Sequence, residues 1–408
     1  MMRRTSTFVN IAALSARKDC LGVASFHCSP SIPVKSNASF SENNAIAGSS
    51  AIRNKFMTSR RARSYDNHRG GPIISTGHRI GRNINSRSTT LFRPLSTSSS
   101  CNEDDEEKHD KFFQMEQRNW EKGFEEYDSG FGPLTRQTIP TLLESAGFPP
   151  KSVENTEDPF RLLDVATGPG FVLSAALEVA SSSNKPIQLI GMDISQNFLS
   201  MAKRRIHAQQ QHLKGKPQST NVRVDFVEGN AESLPFPDNT FDSVVCNFGI
   251  LHFYKQDTFL RECYRVLRPG GKVSFSAWAP PTRTEGFGIA LNAIADVGNL
   301  DVAVPEGPNF FRFGELEEAT KTLEGIGYDN VGSVELSQMK WINVESGEML
   351  YHILLNGTVR TREILLGQTE EQASAVQALV KQRYKTVTDE GNRPLSMPAV
   401  VSSGQKTI

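Results

Sequence analysis

Between residues 160 and 280 the apolar positions follow two alternating rhythms. Short, nearly continuous apolar runs, RLLDVATG, IQLIGMDIS, NVRVDFVEGN, FDSVVCNFGI and KVSFSAW, read as strands. Between them apolar residues return at helical spacing, from about Phe171 to Ser181, from Asn197 to Gln211 and from about Gln256 to Leu267. Strands alternating with amphipathic helices predict βαβ units and a parallel sheet. FDSVVCNFGI is apolar at almost every position, as a strand buried on both faces should be.

The same rhythms extend to both sides. FFQMEQRNWEKGFEEYD and TRQTIPTLLESAG predict two leading helices, the second stopped by Gly147 and Pro149. LRPGG predicts a helix stop and a reversal into the fifth strand, because Pro269 cannot continue a helix and Gly270 and Gly271 permit the turn. Farther on, ELEEATKTLEGIGY places Leu316, Ala319 and Leu323 on one helix face, and NVGSVELSQMKW alternates as a half-exposed strand. SGEMLYHILLNGTVRTREILL and EEQASAVQALVKQRY predict two or three helices inserted at about 345–395, before PAVVSSGQK closes as a last strand. An insertion of that length is enough for a small cap over the sheet.

Composition separates the first hundred residues from the rest. The chain of 408 residues has 45 basic and 45 acidic side chains, yet residues 1–100 carry 15 basic against 3 acidic ones, a net of +12 that leaves −12 for the remainder. That basic stretch is crowded with Ser and Asn, contains RRARS and STSSS, and has too few apolar residues to offset the entropy of ordering. It is expected to be a disordered transit peptide over 1–102, a basic tail for acidic partners being the alternative. RPLSTSSSCN resembles a two-step matrix-processing site with an octapeptide beginning at Leu95, which favours the mitochondrial matrix over a plastid and starts the mature chain near Glu103. The expected division is therefore the leader at 1–102, site-covering helices at 103–150 and a catalytic domain at 151–408.

Cys20, Cys28, Cys101, Cys246 and Cys263 form no C-x-x-C pair and no metal-ligand spacing, so neither a disulfide framework nor a metal site is expected. Cys246, inside SVVCNFGILHF, reads as a buried small hydrophobe. The acidic remainder lacks the basic footprint of a nucleic-acid binder. No apolar run is long enough for a membrane span.

A ligand of an open parallel sheet sits outside the carboxyl ends of its strands, beside the first one. There LLDVATGPG runs a strand into Gly168 and Gly170, which would let the backbone approach a cofactor, with Asp164 accepting from that cofactor or bracing the loop. Asp193 ends the second strand where an acid can hold both ribose hydroxyls of an adenosine; its alternative role is a helix cap, for which Ser195 is the better candidate. A pyrophosphate loop wants a third glycine where this chain has Leu173, and no phosphate loop of the G-x-x-x-x-G-K type is present.

LLDVATGPG, IGMDIS, GNAESLPFPDNTFDSVVCNFGILHF and RECYRVLRPGGKVSFSAW resemble, in order and spacing over Leu162 to Trp278, the blocks of class I S-adenosylmethionine-dependent methyltransferases, especially the type 11 methyltransferase domain. They look like those of ubiquinone/menaquinone C-methyltransferases and small-molecule methyltransferases. The resemblance implies a Rossmann-like, doubly wound, seven-stranded α/β sheet that binds S-adenosylmethionine and methylates a small-molecule acceptor, quinone-like or lipid. It also implies roles by position. Asp164, Ala166, Gly168 and Gly170 would surround the methionine part, Asp193 would take the ribose hydroxyls and Ile194 would pack on the adenine. Asn230, where the family usually has Asp, and Ala231 would meet the adenine edge, and Asn247 would return to the methionine side.

His252, just past the fourth strand, is the candidate catalytic base or acceptor contact, since an imidazole titrating near ~6.5 suits proton removal at neutral pH. Packing within the loop is its alternative. Tyr127, the aromatic residues Phe310, Phe311 and Phe313, and Arg312 are candidates for choosing the acceptor, with a core role as the alternative for the aromatic cluster. Arg360 and Arg362 read as solvated helix-face charges. Two other classes compete: a methyltransferase-like mitochondrial assembly or interaction factor, including one acting on a protein, and a hydride-transfer enzyme.

Overall fold

The alternating pattern becomes one seven-stranded sheet in the computed structural model, which describes residues 103–150, 158–181, 185–213 and 221–408. The leader over 1–102, with Cys20, Cys28 and Cys101, lies outside the described residues. The described chain enters through α1 (Glu103–Gly130), the single turn α2 (Gly132–Thr135) and α3 (Ile139–Ser145). It then alternates β1 (Phe160–Val165), α4 (Phe171–Ala180), β2 (Ile187–Asp193), α5 (Gln196–Leu213), β3 (Val222–Glu228), β4 (Phe241–Asn247), α6 (Gln256–Val266) and β5 (Leu267–Trp278). There follow α7 (Glu285–Val297), α8 (Leu316–Ile326), β6 (Tyr328–Leu336), β7 (Lys340–Trp341), α9 (Gly347–Asn356), α10 (Arg360–Leu366), α11 (Glu370–Val387), β8 (Leu395–Ser396) and β9 (Ala399–Lys406).

The strand order is β3-β2-β1-β4-β5-β9-β6. The first five strands run parallel, and β9 lies antiparallel between β5 and β6. Parallel neighbours need long crossovers, here through helices, and these cover both faces. The pleat sends alternate side chains to opposite layers: Leu163, Val165, Val244, Cys246 and Phe275 pack in one core, Leu162, Leu189, Val245 and Val401 in the other. Each such fully buried side chain contributes about 1.5–3 kcal/mol. Chain order reverses between β1 and β4, which leaves a crevice at their carboxyl ends.

Several boundaries differ from the sequence reading. α1 starts at Glu103 rather than Phe112, since EDDEEKHDK is rich in straight-chain helix formers but has no apolar face to give a period. LRPGG is no simple reversal: β5 already begins at Leu267, and its pairing with β4 is interrupted by a bulge between Phe241 and Ser243 as Gly270 takes φ +80°. NVGSVELSQMKW splits, its end leaving the main sheet to pair as β7 with β8. There the side-chain amide of Gln137 stands in for a strand partner, accepting from Lys340 N (3.1 Å) and donating to Lys340 O (2.7 Å). α7, not expected from the sequence, buries Phe287, Ile289, Ala290, Leu291, Ala293 and Ile294 and exposes Asn292 and its last turn.

Candidate active site

β1 ends at Val165 because the next residues leave extended conformation: Ala166, Gly168 and Gly170 have φ of +55°, +51° and +82°. The two glycines do different work. A Cβ on Gly168 would meet nothing within 4 Å, so this residue forms an open cradle at the rim of the crevice. On Gly170 it would stand 2.9 Å from the Cβ of Ala202, so Gly170 serves the close packing of α4 on α5 and does not line the cavity. Leu173, at the position of a third glycine, is accommodated by Gly191 of β2, where a Cβ would lie 2.6 Å from a Leu173 methyl.

Two carboxylates close the loop from below. Thr167 donates through its hydroxyl to Asp164 Oδ2 (2.6 Å), while the fully buried Asp164 Oδ1 has no hydrogen-bond partner. Gly168 N and Ser195 N donate to Asp193 Oδ2 (2.8 Å) and Oδ1 (2.9 Å), and Ser195 Oγ caps α5 by accepting from Phe198 N (3.2 Å). Burial pushes Asp164 up to about 7, against the pull of the Thr167 hydrogen bond, and pushes Asp193 up to about 6, against its backbone donors. Both groups therefore favour a positively charged or hydrogen-donating neighbour.

From this loop a cavity of about 810 Å³ opens over the carboxyl ends of β1, β2 and β4. Ala166, Asp193, Ile194, Asn230, Ala231, Asn247 and His252 all line it. Asn230 Oδ1 accepts from Glu232 N (2.9 Å) and so rigidifies its own turn. The amide of Asn247 is committed, accepting from Thr138 Oγ1 (2.6 Å) and Ser276 Oγ (2.7 Å) and donating to Thr135 O (3.1 Å). That amide ties β4 and β5 to the leading helices.

The far part of the cavity is walled by α1, the 302–311 segment and the start of α10. Helical spacing aligns Phe112, Glu116 and Trp120 on the face of α1 turned to it. Glu116 Oε2 accepts from Trp120 Nε1 (3.1 Å) and pairs with His252 Nδ1 (3.0 Å), while His252 Nε2 makes no hydrogen bond to the described residues. His252 also meets Trp120 and Phe310 edge-on, at 5.0 and 5.6 Å between ring centres. Tyr127, stacked on Phe131, continues the aromatic wall, and burial pushes its phenol up to about 12.

The acceptor-choosing candidates divide. Phe310 and Phe311 line the cavity, whereas Phe313 is fully buried and packs edge-on against Phe275 at 5.3 Å. Arg312 is committed to Asp257 (2.6 Å), Glu318 (2.8 Å) and Thr322 (3.1 Å), which leaves it poorly placed to hold an anionic substrate. Arg360 is not a solvated helix charge: it lies in the cavity wall, over the ring of Phe112, donating to Pro308 O (2.6 Å). Arg362 is half-buried and reaches Leu355 O (3.4 Å). Glu116 and Trp120 were not singled out from sequence, although the four-residue spacing from Phe112 placed that acid on an apolar face. Among the described residues no group of His, Cys, Asp and Glu is arranged to hold a metal ion. No described helix is long and apolar enough to cross a membrane.

A family pattern described as "Methyltransferase domain" matches residues 163–275, from β1 through most of β5. Over 205 residues the chain is 38% identical to a ubiquinone/menaquinone biosynthesis C-methyltransferase of Bradyrhizobium diazoefficiens, covering 48% of this chain and 72% of the relative. A corresponding enzyme of Rhodopseudomonas palustris is 38% identical over 151 residues, 36% of this chain and 51% of that protein. The mitochondrial 2-methoxy-6-polyprenyl-1,4-benzoquinol methylase of Dictyostelium discoideum is 38% identical over 188 residues, 42% of this chain and 58% of that protein. The chain spans about half the length of the curated relatives first matched.

Proposed function

Because the chain belongs to the ubiquinone/menaquinone biosynthesis C-methyltransferase family, we propose that it uses S-adenosylmethionine to methylate a ring carbon of a benzoquinol-like small molecule. The observation that carries this reading is an open glycine cradle at Gly168 in the cavity wall, backed by a buried, half-unpartnered carboxylate, Asp164, which lies beneath the loop and does not itself line the cavity. An ammonium group suits the free Asp164 Oδ1, and a polar adenosine suits the Asp193 carboxylate at the next strand end. The residues present therefore fit S-adenosylmethionine, which supplies a methyl group on a positively charged sulfur.

The chain's own residues do the rest by positioning. Asp164, Ala166 and Gly168 would hold the amino-acid end, Asp193 the ribose, and Ile194, Asn230 and Ala231 the adenine. Gly170 and Asn247 would act indirectly, the first by setting α4 and the second by fixing β4. Aromatic side chains of Trp120, Tyr127, Phe310 and Phe311 exclude water and give an apolar ring its seat. Methylation at a ring carbon would displace a ring proton, which needs a base. His252 is that base: Glu116 holds Nδ1 and so turns Nε2 to the acceptor.

The cap formed by residues 345–395 and the helices at 103–150 would close this pocket, and both contribute to its wall. The name of the Dictyostelium relative and the basic leader support a mitochondrial setting. An assembly factor without chemistry is not favoured, since such a role requires neither the glycine cradle nor the buried acids. The test is calorimetric titration of the full chain with S-adenosylmethionine, followed by transfer of a radiolabelled methyl group to 2-methoxy-6-methyl-1,4-benzoquinol. Binding with label in the quinol is expected; no binding would return the chain to the assembly-factor class.

A further inference from the structure

Glu232 follows directly on Asn230 and Ala231 in the turn after β3 and lines the same cavity, yet its carboxylate serves two other segments. The side chain is 8% exposed. Its Oε1 accepts from Lys255 N (3.1 Å), at the end of the loop that carries His252, and its Oε2 accepts from His109 Nε2 (2.9 Å) near the start of α1. His109 also sits edge-on against Tyr254, at 5.2 Å between ring centres, and the adjacent Lys108 pairs with Glu306 (3.0 Å) of the 302–311 segment. The turn is held in turn by Asn230 Oδ1 on Glu232 N (2.9 Å) and by Glu262 Oε2 on Leu234 N (2.9 Å).

His109 and Glu116 are seven residues apart, about two helical turns, and lie on one face of α1 with Phe112 and Trp120. That face makes two imidazole–carboxylate contacts of opposite sense, giving the imidazole to Glu232 and the carboxylate to His252. The first reaches the turn proposed to hold the adenine, the second the proposed base. Residues 104–108, 110 and 111 are exposed, and His109 is half-buried. This end of the helix therefore has little apolar burial to hold it down and depends on the Glu232 contact.

We propose that Glu232 is a positioning residue that couples the seating of the adenosine to the closing of α1 over the acceptor. This rests on the crevice being an S-adenosylmethionine site and adds a link between its two halves. A ligand lying against Asn230 and Ala231 fixes the turn, the turn aims the Glu232 carboxylate, and the carboxylate draws down His109 with the helix that carries Glu116 and Trp120. Such coupling is reciprocal: the factor by which the cofactor strengthens the clasp is the factor by which the clasp strengthens cofactor binding. The acceptor pocket is thus completed once the cofactor is in place.

The test is hydrogen exchange at the α1 amides of residues 107–113 in the full chain, with and without S-adenosylmethionine; these N–H groups lie within the helical ladder. Exchange should slow on the order of 10-fold when the cofactor binds. His109→Phe keeps a ring beside Tyr254 but removes the donor, and should abolish the slowing and weaken the cofactor, by calorimetry, by the same factor. Glu232→Ala should do likewise, and His109→Gln, whose amide can donate to the carboxylate, should restore both effects. A side chain that merely supported the fold would shift urea unfolding without tying these two factors together. Cofactor binding that leaves the exchange of 107–113 unchanged in the unaltered chain overturns the coupling, whether or not the variants fold, and so does His109→Phe binding the cofactor as tightly as its parent. No S-adenosylmethionine binding by the unaltered chain refutes the methyltransferase reading itself, and the coupling with it.

Discussion

Protonation of Asp164 should gate the binding of S-adenosylmethionine near neutral pH. Its carboxyl is raised to about 7 by burial, and its Oδ1 is the atom without a partner. If only the charged form accepts the ligand's ammonium, the competent fraction is roughly 3% at pH 5.5 and about half at pH 7. Affinity should then rise about 16-fold over that interval, or ~1.6 kcal/mol. Asp193, raised to about 6, adds about fourfold more if it too must be charged. Calorimetry in two buffers of different ionisation heat measures both the affinity and the protons released, on the order of one at pH 6. Asp164→Asn should lose the 16-fold component and bind weakly at every pH. The same raised values have a stability sign: the ligand-free chain is most stable below the unfolded carboxylate range and loses that contribution as pH rises through 6 to 7. An affinity flat from pH 5.5 to 7, with no dependence on buffer heat, would refute the placement of a cation against Asp164.

The two loop glycines should fail in different assays. Gly170→Ala sets a Cβ against Ala202 at φ +82° and should cost about 1–3 kcal/mol in urea unfolding. Gly168→Ala has open space and should lose only what a φ of +51° costs a residue with a Cβ, about 1–2 kcal/mol in urea unfolding, but lose S-adenosylmethionine affinity by filling the cradle. The aromatic cluster should divide likewise: Phe313→Ala, in the core, should lose about 3–5 kcal/mol of stability, whereas Phe311→Ala should raise KM for the quinol at nearly unchanged stability.

The fold was legible in the sequence wherever periodicity was strong. The five parallel strands and their crossover helices have clear apolar rhythm, and their boundaries moved by only a few residues. α7 was missed although Asn292 and its exposed last turn leave it one solvent-facing side, and β7 was hidden because its partner strand lies more than fifty residues downstream. The turn after β1 was readable from a local motif at a strand end, where one loop supplies Ala166, Gly168 and Gly170, all with positive φ. The division of labour around it was not: that Gly170 meets Ala202, and that Asn247 is consumed by Thr135, Thr138 and Ser276, depends on contacts between distant segments. For the same reason Arg360 looked like a surface charge until α10 was seen to carry it into the wall facing Glu116 on α1.

The most direct measurement supplies the full chain with S-adenosylmethionine labelled with ¹³C in the methyl group, together with 2-methoxy-6-methyl-1,4-benzoquinol kept reduced, and follows the product by NMR. A labelled methyl on a ring carbon, with one ring proton lost and formation sharply reduced in Asp164→Asn and His252→Gln, is the predicted result. Label on oxygen, label in protein only, or turnover indifferent to both substitutions would contradict it.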